Sequence, residues 1–77
     1  MAYIVNIPLP LREQIKKIFE ESPKPKGKNM RFLATVYYRY TRINVDVDEE
    51  VDIAMGCGYC QAKIAYYFKR QEWLTHE

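Results

Sequence analysis

The sequence predicts an all-α fold, a small bundle of helices in a single domain that spans residues 1–77. Apolar residues recur at steps of three and four near the N-terminus and again over residues 31–43, which is the spacing of one helix face. Proline, glycine and acidic residues stand where such helices are expected to begin and end. The 77 residues are 48% hydrophobic, so the chain can build one core, although a small one.

The first helix is predicted to begin at Pro10 and to end at Ser22-Pro23, because proline is favoured at the first helical position and stops a helix when it follows one. Its apolar face consists of Leu11, Ile15, Ile18 and Phe19. Before this helix, residues 2–7 have the composition of a short strand or of an arm on a partner.

A linker follows at residues 22–29 and is rich in proline and lysine. Its lysines are candidates for phosphate contacts, with a solvated loop as the alternative: Lys24, Lys26 and Lys28. Residues 1–28 thus comprise an arm, a helix and a basic linker.

The second helix is predicted over residues 31–43, with Asn29 as its N-cap. Its polar face consists of Arg31, Thr35, Tyr38, Arg39 and Arg42. Its apolar face consists of Phe32, Leu33, Val36, Tyr37, Tyr40 and Ile43. The same stretch is rich in β-forming residues, which leaves open an α+β fold with strands at 2–7 and 31–45.

A third helix is predicted over residues 49–55, capped by Asp46 or Asp48. Gly56 and Gly58 are expected to form a tight turn after it, because glycine tolerates a positive φ. A fourth helix is predicted from Cys60 to Phe68, and residues 69–74 either continue it or begin a fifth.

Charge is segregated along the chain. Residues 1–42 contain nine Lys and Arg against three Glu, a net charge of +6. Residues 43–56 carry a net charge of −5, and residues 57–77 a net charge of +1. Two basic regions suit a polyanionic partner, although a solvated surface also explains them.

The predicted third and fourth helices are joined by a glycine turn, and the fourth is short, basic and rich in tyrosine. This arrangement matches the helix-turn-helix pattern, in which the second helix lies in the DNA major groove. The run IAMGCGYCQAKIAYYFK at residues 53–69 resembles the DNA-binding signature of tetracycline-repressor-type regulators. In those proteins Ile-Ala is followed by three residues, Gly, and a short helix that ends in Tyr-x-Phe-Lys. The resemblance extends over residues 32–74 and departs at Cys60, Ala65 and Glu49-Glu50.

The resemblance implies a role for each matching residue in a unit that spans residues 29–77. Core positions would be Ile53, Ala54, Ile64 and Phe68, and Gly58 would make the turn. Gln61 would pair with adenine and Lys63 with guanine in the major groove. Contacts to phosphates or bases would come from Tyr66, Tyr67, Lys69 and Arg70. The alternative is that the three consecutive aromatics at 66–68 form a buried cluster.

The sequence predicts no enzyme, no cofactor and no metal site. Cys57 and Cys60 form a C-x-x-C motif, but the redox folds that carry it need further strands, and only 17 residues follow. A zinc site needs four ligands, and these two cysteines with His76 make three, unless two copies share one site. We expect the two cysteines to be small apolar fillers beside the turn.

The expected function is that of a small DNA-binding transcription regulator whose partner is double-stranded DNA and which binds as a homodimer. No apolar run approaches the roughly 20 residues of a membrane span, so we expect no membrane contact and a place in the cytoplasm, or the host cytoplasm if the protein is viral. The alternative is a phage- or plasmid-type inhibitor or adaptor that binds a host protein through its tyrosines. Those tyrosines are Tyr3, Tyr37, Tyr38, Tyr40, Tyr59 and Tyr66.

Overall fold

The computed structural model describes residues 7–75, and this part of the chain folds into five helices with no strand. They are α1 (Leu9–Glu21), α2 (Gly27–Thr41), α3 (Val47–Met55), α4 (Gly58–Lys69) and α5 (Glu72–Thr75). The prediction of an all-α fold is confirmed. The alternative strand at 31–45 is wrong, because α2 covers most of it; the segment 2–7 lies outside the described residues except for Ile7.

Helix α1 has the apolar face that its periodicity predicts. Ile15 and Ile18 are buried, and Leu11 and Phe19 are half-buried. The helix begins one residue before Pro10, and the Pro8 carbonyl accepts hydrogen bonds from the backbone N–H groups of residues 11 and 12, each at 3.1 Å. Proline in the first turn does not lower the stability of the helix, because the N–H group that proline lacks would have no partner within the helix at this position.

Helix α2 begins earlier than predicted. Gly27 opens it with a φ of +59°, and Asn29 lies inside the helix instead of capping it, with Nδ2 3.5 Å from a Glu21 side-chain oxygen. The helix also ends before Ile43, which is 73% exposed, so its predicted place on the apolar face of this helix is wrong. The chain turns away at Asn44, whose φ of 60° is left-handed.

Helix α3 begins with the predicted aspartate cap. The Asp46 side chain accepts the backbone N–H of Glu49 at 3.2 Å, while Asp48 lies within the helix. Carboxylates in the first turn also face the positive end of the helix dipole. This explains why an acidic run is compatible with a helix at this point.

The turn between α3 and α4 is tight without any positive φ, which corrects the expectation for its glycines. Gly56 has a φ of −97°, and Gly58 is the first residue of α4. The turn closes through backbone hydrogen bonds from Gly56 to the Ile53 carbonyl at 3.1 Å and from Cys57 to the Ala54 carbonyl at 3.0 Å. Helix α4 ends at Lys69, with Arg70 as its C-cap, and α5 is a separate fifth helix.

Helix α2 packs against α3 and α4, while α5 packs against α1 and α4. The core within residues 7–75 consists of Ile7, Ile15, Ile18, Met30, Leu33, Ala34, Val36, Tyr37, Val51, Ala54, Ile64 and Phe68. Ile53 is 58% exposed, so the core role that the resemblance implied for it is wrong. None of the helices described is long and apolar enough to cross a membrane.

Candidate nucleic-acid interface

Helix α4 has one buried side and one exposed side. Ile64 and Phe68 are fully buried one turn apart, which anchors the helix to the core. The opposite side is exposed and is here called the α4 face; it consists of Tyr59, Ala62, Lys63, Tyr66, Lys69 and Arg70. The α4 face contains three basic residues, two tyrosines and no acid, so it combines positive charge with flat apolar rings.

The two tyrosines of the α4 face project into solvent. Tyr59 is 78% exposed and Tyr66 is 62% exposed, and they lie two turns apart on the same side of the helix. The Arg70 guanidinium carbon is 5.5 Å from the centre of the Tyr66 ring, a cation–π contact. The sequence predicts Tyr66 at this surface and Tyr59 only at a protein interface. The seven-residue spacing between the two tyrosines is the signal that places both on one side of the helix.

Lysines line the length of the α4 face. Lys63 is exposed in the middle of the helix. At its end, the Lys69 ammonium is 5.8 Å from the centre of the Phe19 ring, which draws this lysine towards α1. The positive charge of α4 therefore spreads from its exposed centre to its border with α1.

Two of the three linker lysines lie beside α4. Lys24 and Lys26 line a cleft of about 450 Å³ together with Tyr66 and Lys69 from α4, and we call it the linker–α4 cleft. Lys28 lies elsewhere, in a groove between α1 and α2; its predicted place in the linker is wrong, because α2 begins at Gly27 and includes it. The structure thus extends the α4 face by two cations that are about forty residues away along the chain.

Gln61 does not present a free amide to solvent. Its Nε2 donates to the backbone carbonyls of Ala54 at 3.2 Å and Met55 at 2.9 Å. Both carbonyls lie at the C-terminal end of α3, where carbonyl groups have no partner within the helix. Gln61 therefore connects the start of α4 to the end of α3 by hydrogen bonds. Pairing with adenine needs the same amide hydrogens, and we therefore leave Gln61 out of the interface.

Tyr67 belongs to the aromatic cluster instead of the exposed surface. Its ring makes edge-on contacts with Tyr37 and Phe68, with centroids 5.1 and 5.2 Å apart. Burial raises the pKa of the Tyr67 hydroxyl above its usual value, and the nearby Tyr37 adds to the shift. The buried-cluster interpretation therefore holds for Tyr67 and Phe68, and the exposed-surface interpretation holds for Tyr66.

Cys57 and Cys60 are joined by a disulfide at the start of α4, and so are not two independent apolar side chains. The Cys57 sulfur also accepts the backbone N–H of Cys60 at 3.1 Å, which caps the helix. Within residues 7–75, no three His, Cys, Asp or Glu side chains lie close enough together to hold a metal ion. His76 lies outside the described residues.

The acidic run lies away from the α4 face. It occupies the start of α3, whereas the turn into α4 follows the other end of this helix, roughly 13 Å away by helix rise. The acid nearest that end, Asp52, is paired with Arg31 at 2.8 Å. Asp52 therefore has a cationic partner that lies outside the α4 face.

No protein-family model, curated protein or solved structure matches this chain. The α4 face and the two linker lysines together hold five basic side chains: Lys24, Lys26, Lys63, Lys69 and Arg70. Such a surface attracts phosphates through its charge and offers ring faces to apolar groups or bases.

Proposed function

We propose that this protein is a small helix-turn-helix DNA-binding protein that regulates transcription in the cytoplasm and places α4 in the major groove of double-stranded DNA. The observation that carries the proposal is the α4 face, which is basic, exposed and opposite a fully buried anchor. A major groove about 12 Å wide admits one helix with its side chains. Helix α3 and the Gln61 amide brace the start of α4, as the first helix of such a motif does.

The contacts divide by position on the helix. Side chains in the N-terminal half of a recognition helix reach base edges, which gives this role to Tyr59 and Lys63, the second and sixth residues of α4. The cations at the end and border of the helix are placed for phosphates, namely Lys24, Lys26, Lys69 and Arg70. Phosphate contacts orient the protein, and the base contacts select the sequence.

The resemblance to tetracycline-repressor-type regulators implies core positions at Ala54, Ile64 and Phe68. All three are buried, which supports the helix-turn-helix assignment. It is weakened at Ile53, which is exposed, and at Cys60, which is disulfide-bonded. We keep the helix-turn-helix mode of binding from this resemblance. We do not carry over any further property of that family.

We propose that two copies bind one site, because a lone recognition helix buries too little surface for tight binding. The longest dimension of the described residues is 33 Å. Half-sites one helical turn apart are separated by about 34 Å, which is close to the longest dimension of one copy, so each half-site can hold one copy.

Fluorescence anisotropy with labelled duplex DNA, repeated from about 50 to 200 mM salt, tests the proposal. Four phosphate contacts per copy predict a slope of log K against log salt of about −3 to −4 for one copy, and twice that for two. Absence of binding at the lowest salt, or binding without a salt dependence, would contradict the proposal.

A pair of charge-matched variants locates the surface. We expect Lys63→Gln to weaken binding to the preferred duplex by roughly five- to tenfold, because it loses both a cation and a base contact. Lys17→Gln removes the same charge from the groove between α1 and α2 and should change binding by less than about twofold. Equal losses for the two variants would show that only net charge matters.

A second candidate function is binding to a host protein, and it is favoured by apolar side chains outside the α4 face. Ile43 and Ile53 are exposed by 73% and 58%. Exposed branched aliphatic residues are common in protein interfaces and contribute little to DNA binding. A nuclease-treated host lysate should then yield a stoichiometric partner that the wild type retains and Ile53→Ser loses; loss of every partner after nuclease treatment rejects this candidate.

A further inference from the structure

We propose that the linker–α4 cleft binds a small organic anion that has a flat aromatic body and one acidic group. This inference goes beyond DNA binding and does not depend on it, because the ligand would bind the protein alone. It rests on the size of the cleft, its apolar walls and the sign of the charges at its edge.

The walls of the cleft are apolar on both sides. The linker contributes Pro23 and Pro25, and α4 contributes Ala62 and Ala65, with the buried Met30 of α2 also in contact with the cleft. Its volume of about 450 Å³ is within the range of about 300–1,000 Å³ that is typical of small-molecule sites. An apolar body of two fused rings can therefore displace water from these walls.

The charged residues of the cleft are all cations. Lys24, Lys26 and Lys69 line it, and no acid is among its lining residues in the part of the chain that the structure describes. The exposed ring of Tyr66 lines it as well and offers a face for stacking. An aromatic carboxylate or sulfonate matches this arrangement, since its ring meets the apolar walls while its acidic group meets the lysines.

A nucleic-acid backbone can contact the lysines at the edge of the cleft, but it fits the apolar walls less well than such a ligand does. Proteins commonly bind phosphates through backbone N–H groups, and the prolines of this wall have none. Sugar and phosphate groups are polar and gain little from walls of proline, alanine and methionine. The ligand would share Tyr66 and Lys69 with the α4 face, so it would also compete with DNA for α4.

The test uses 2-naphthoate as the probe, with the uncharged 2-naphthalenemethanol as its matched analogue. Each is titrated into the isotopically labelled full chain without DNA, and backbone amide signals are followed by NMR. For a ligand of this size we expect a Kd on the order of 1 mM. The signals that shift should be those of residues 62–69 and 24–30, and the uncharged analogue should bind at least about threefold more weakly.

Substitutions at one exposed position separate charge from shape. Ala62→Glu places a carboxylate among the lysines and Ala62→Gln places a neutral side chain of the same size there, so the Glu variant should bind naphthoate at least about threefold more weakly than the Gln variant.

Lys69→Gln should weaken binding by roughly two- to fivefold, and Lys17→Gln, in the other groove, should leave it unchanged.

Three outcomes would overturn the proposal. They are naphthoate shifts absent from the cleft, equal binding of the acid and the alcohol, and shifts caused by a short single-stranded oligonucleotide but not by naphthoate. The last result would assign the cleft to nucleic acid. Because the titration contains no duplex, failure of DNA binding in the anisotropy experiment leaves it unaffected.

Discussion

At the residue scale, two glycines that both open helices have different backbone conformations. Gly27 begins α2 with a φ of +59°, and Gly58 begins α4 with an ordinary helical geometry. A Cβ added at either position would meet no atom within 4 Å. Any difference between the two alanine variants must therefore come from the backbone and not from a clash.

We expect Gly27→Ala to lower the free energy of unfolding by about 1–2 kcal/mol, because a left-handed conformation is strained for any residue with a Cβ. Gly58→Ala should leave it unchanged or raise it by about 0.4–1 kcal/mol, because alanine restricts the unfolded chain. Urea unfolding of both variants measures this difference. Equal effects would show that the two backbone conformations are not distinct in solution.

Tyr67 makes stability sensitive to alkaline pH. Burial raises the pKa of its hydroxyl above the usual value near 10, so the folded state holds this proton more tightly than the unfolded chain does. Its contribution to stability is complete below about pH 10 and is lost as the pH rises through the folded-state pKa.

We expect Tyr67→Phe to lose less stability than the wild type between about pH 8 and pH 11, as measured by the urea midpoint at each pH. Tyr38 also has a raised pKa, mainly through burial and then through Glu50, so the variant should keep part of the alkaline loss. An identical loss in the two proteins would mean that the Tyr67 hydroxyl is as accessible in the folded state as in the unfolded one.

Single residues show where prediction from sequence ends. The spacing of α4 was enough to place Lys63 and Tyr66 on an exposed surface. It was not enough for Gln61, because the partners of its amide are carbonyls of the preceding helix, whose position depends on how tightly the turn closes. Tyr67 was equally ambiguous, since its burial depends on the ring of Tyr37 in α2.

At the scale of elements, the start of α4 is fixed by a disulfide and a cap from the same residue, Cys57. A disulfide that closes so short a loop stabilises a fold by roughly 2 kcal/mol, through the entropy of the unfolded chain. Reduction should therefore loosen α4 at the end where the base contacts are proposed.

We expect dithiothreitol to lower the free energy of unfolding of the wild type by roughly 2 kcal/mol and to leave the double variant Cys57→Ser/Cys60→Ser unaffected. Alkylation of the unfolded protein before reduction, followed by mass spectrometry, should label neither cysteine. Labelling of both cysteines, or no effect of the reductant, would contradict a stabilising disulfide.

Helix periodicity predicted the elements better than their ends. In α2 the β-forming residues did not produce a strand, because burial of Leu33, Val36 and Tyr37 along one helical face outweighs their weak local preference. The start of α2 was missed because it depends on the left-handed Gly27. The start of α4 was missed because a turn with ordinary φ values let the helix begin at Gly58.

At the scale of the whole molecule, the bundle brings together, at the linker–α4 cleft, basic residues that are distant along the chain. The linker lysines line a cleft with Tyr66 and Lys69 of α4, although about forty residues separate them along the chain. The net charge of the chain is only +2, so attraction for DNA must come from this distribution. No pattern in the sequence indicates the linker–α4 cleft, since it arises from tertiary contacts alone.

The most direct test of DNA binding through α4 is an NMR titration of the isotopically labelled protein with duplex DNA at low salt. If α4 lies in the major groove, amide signals shift along residues 58–70 and at 24–26, while those at the acidic start of α3 stay in place. No shifts at low salt would contradict this mode of binding, and so would shifts confined to the surroundings of Ile43 and Ile53.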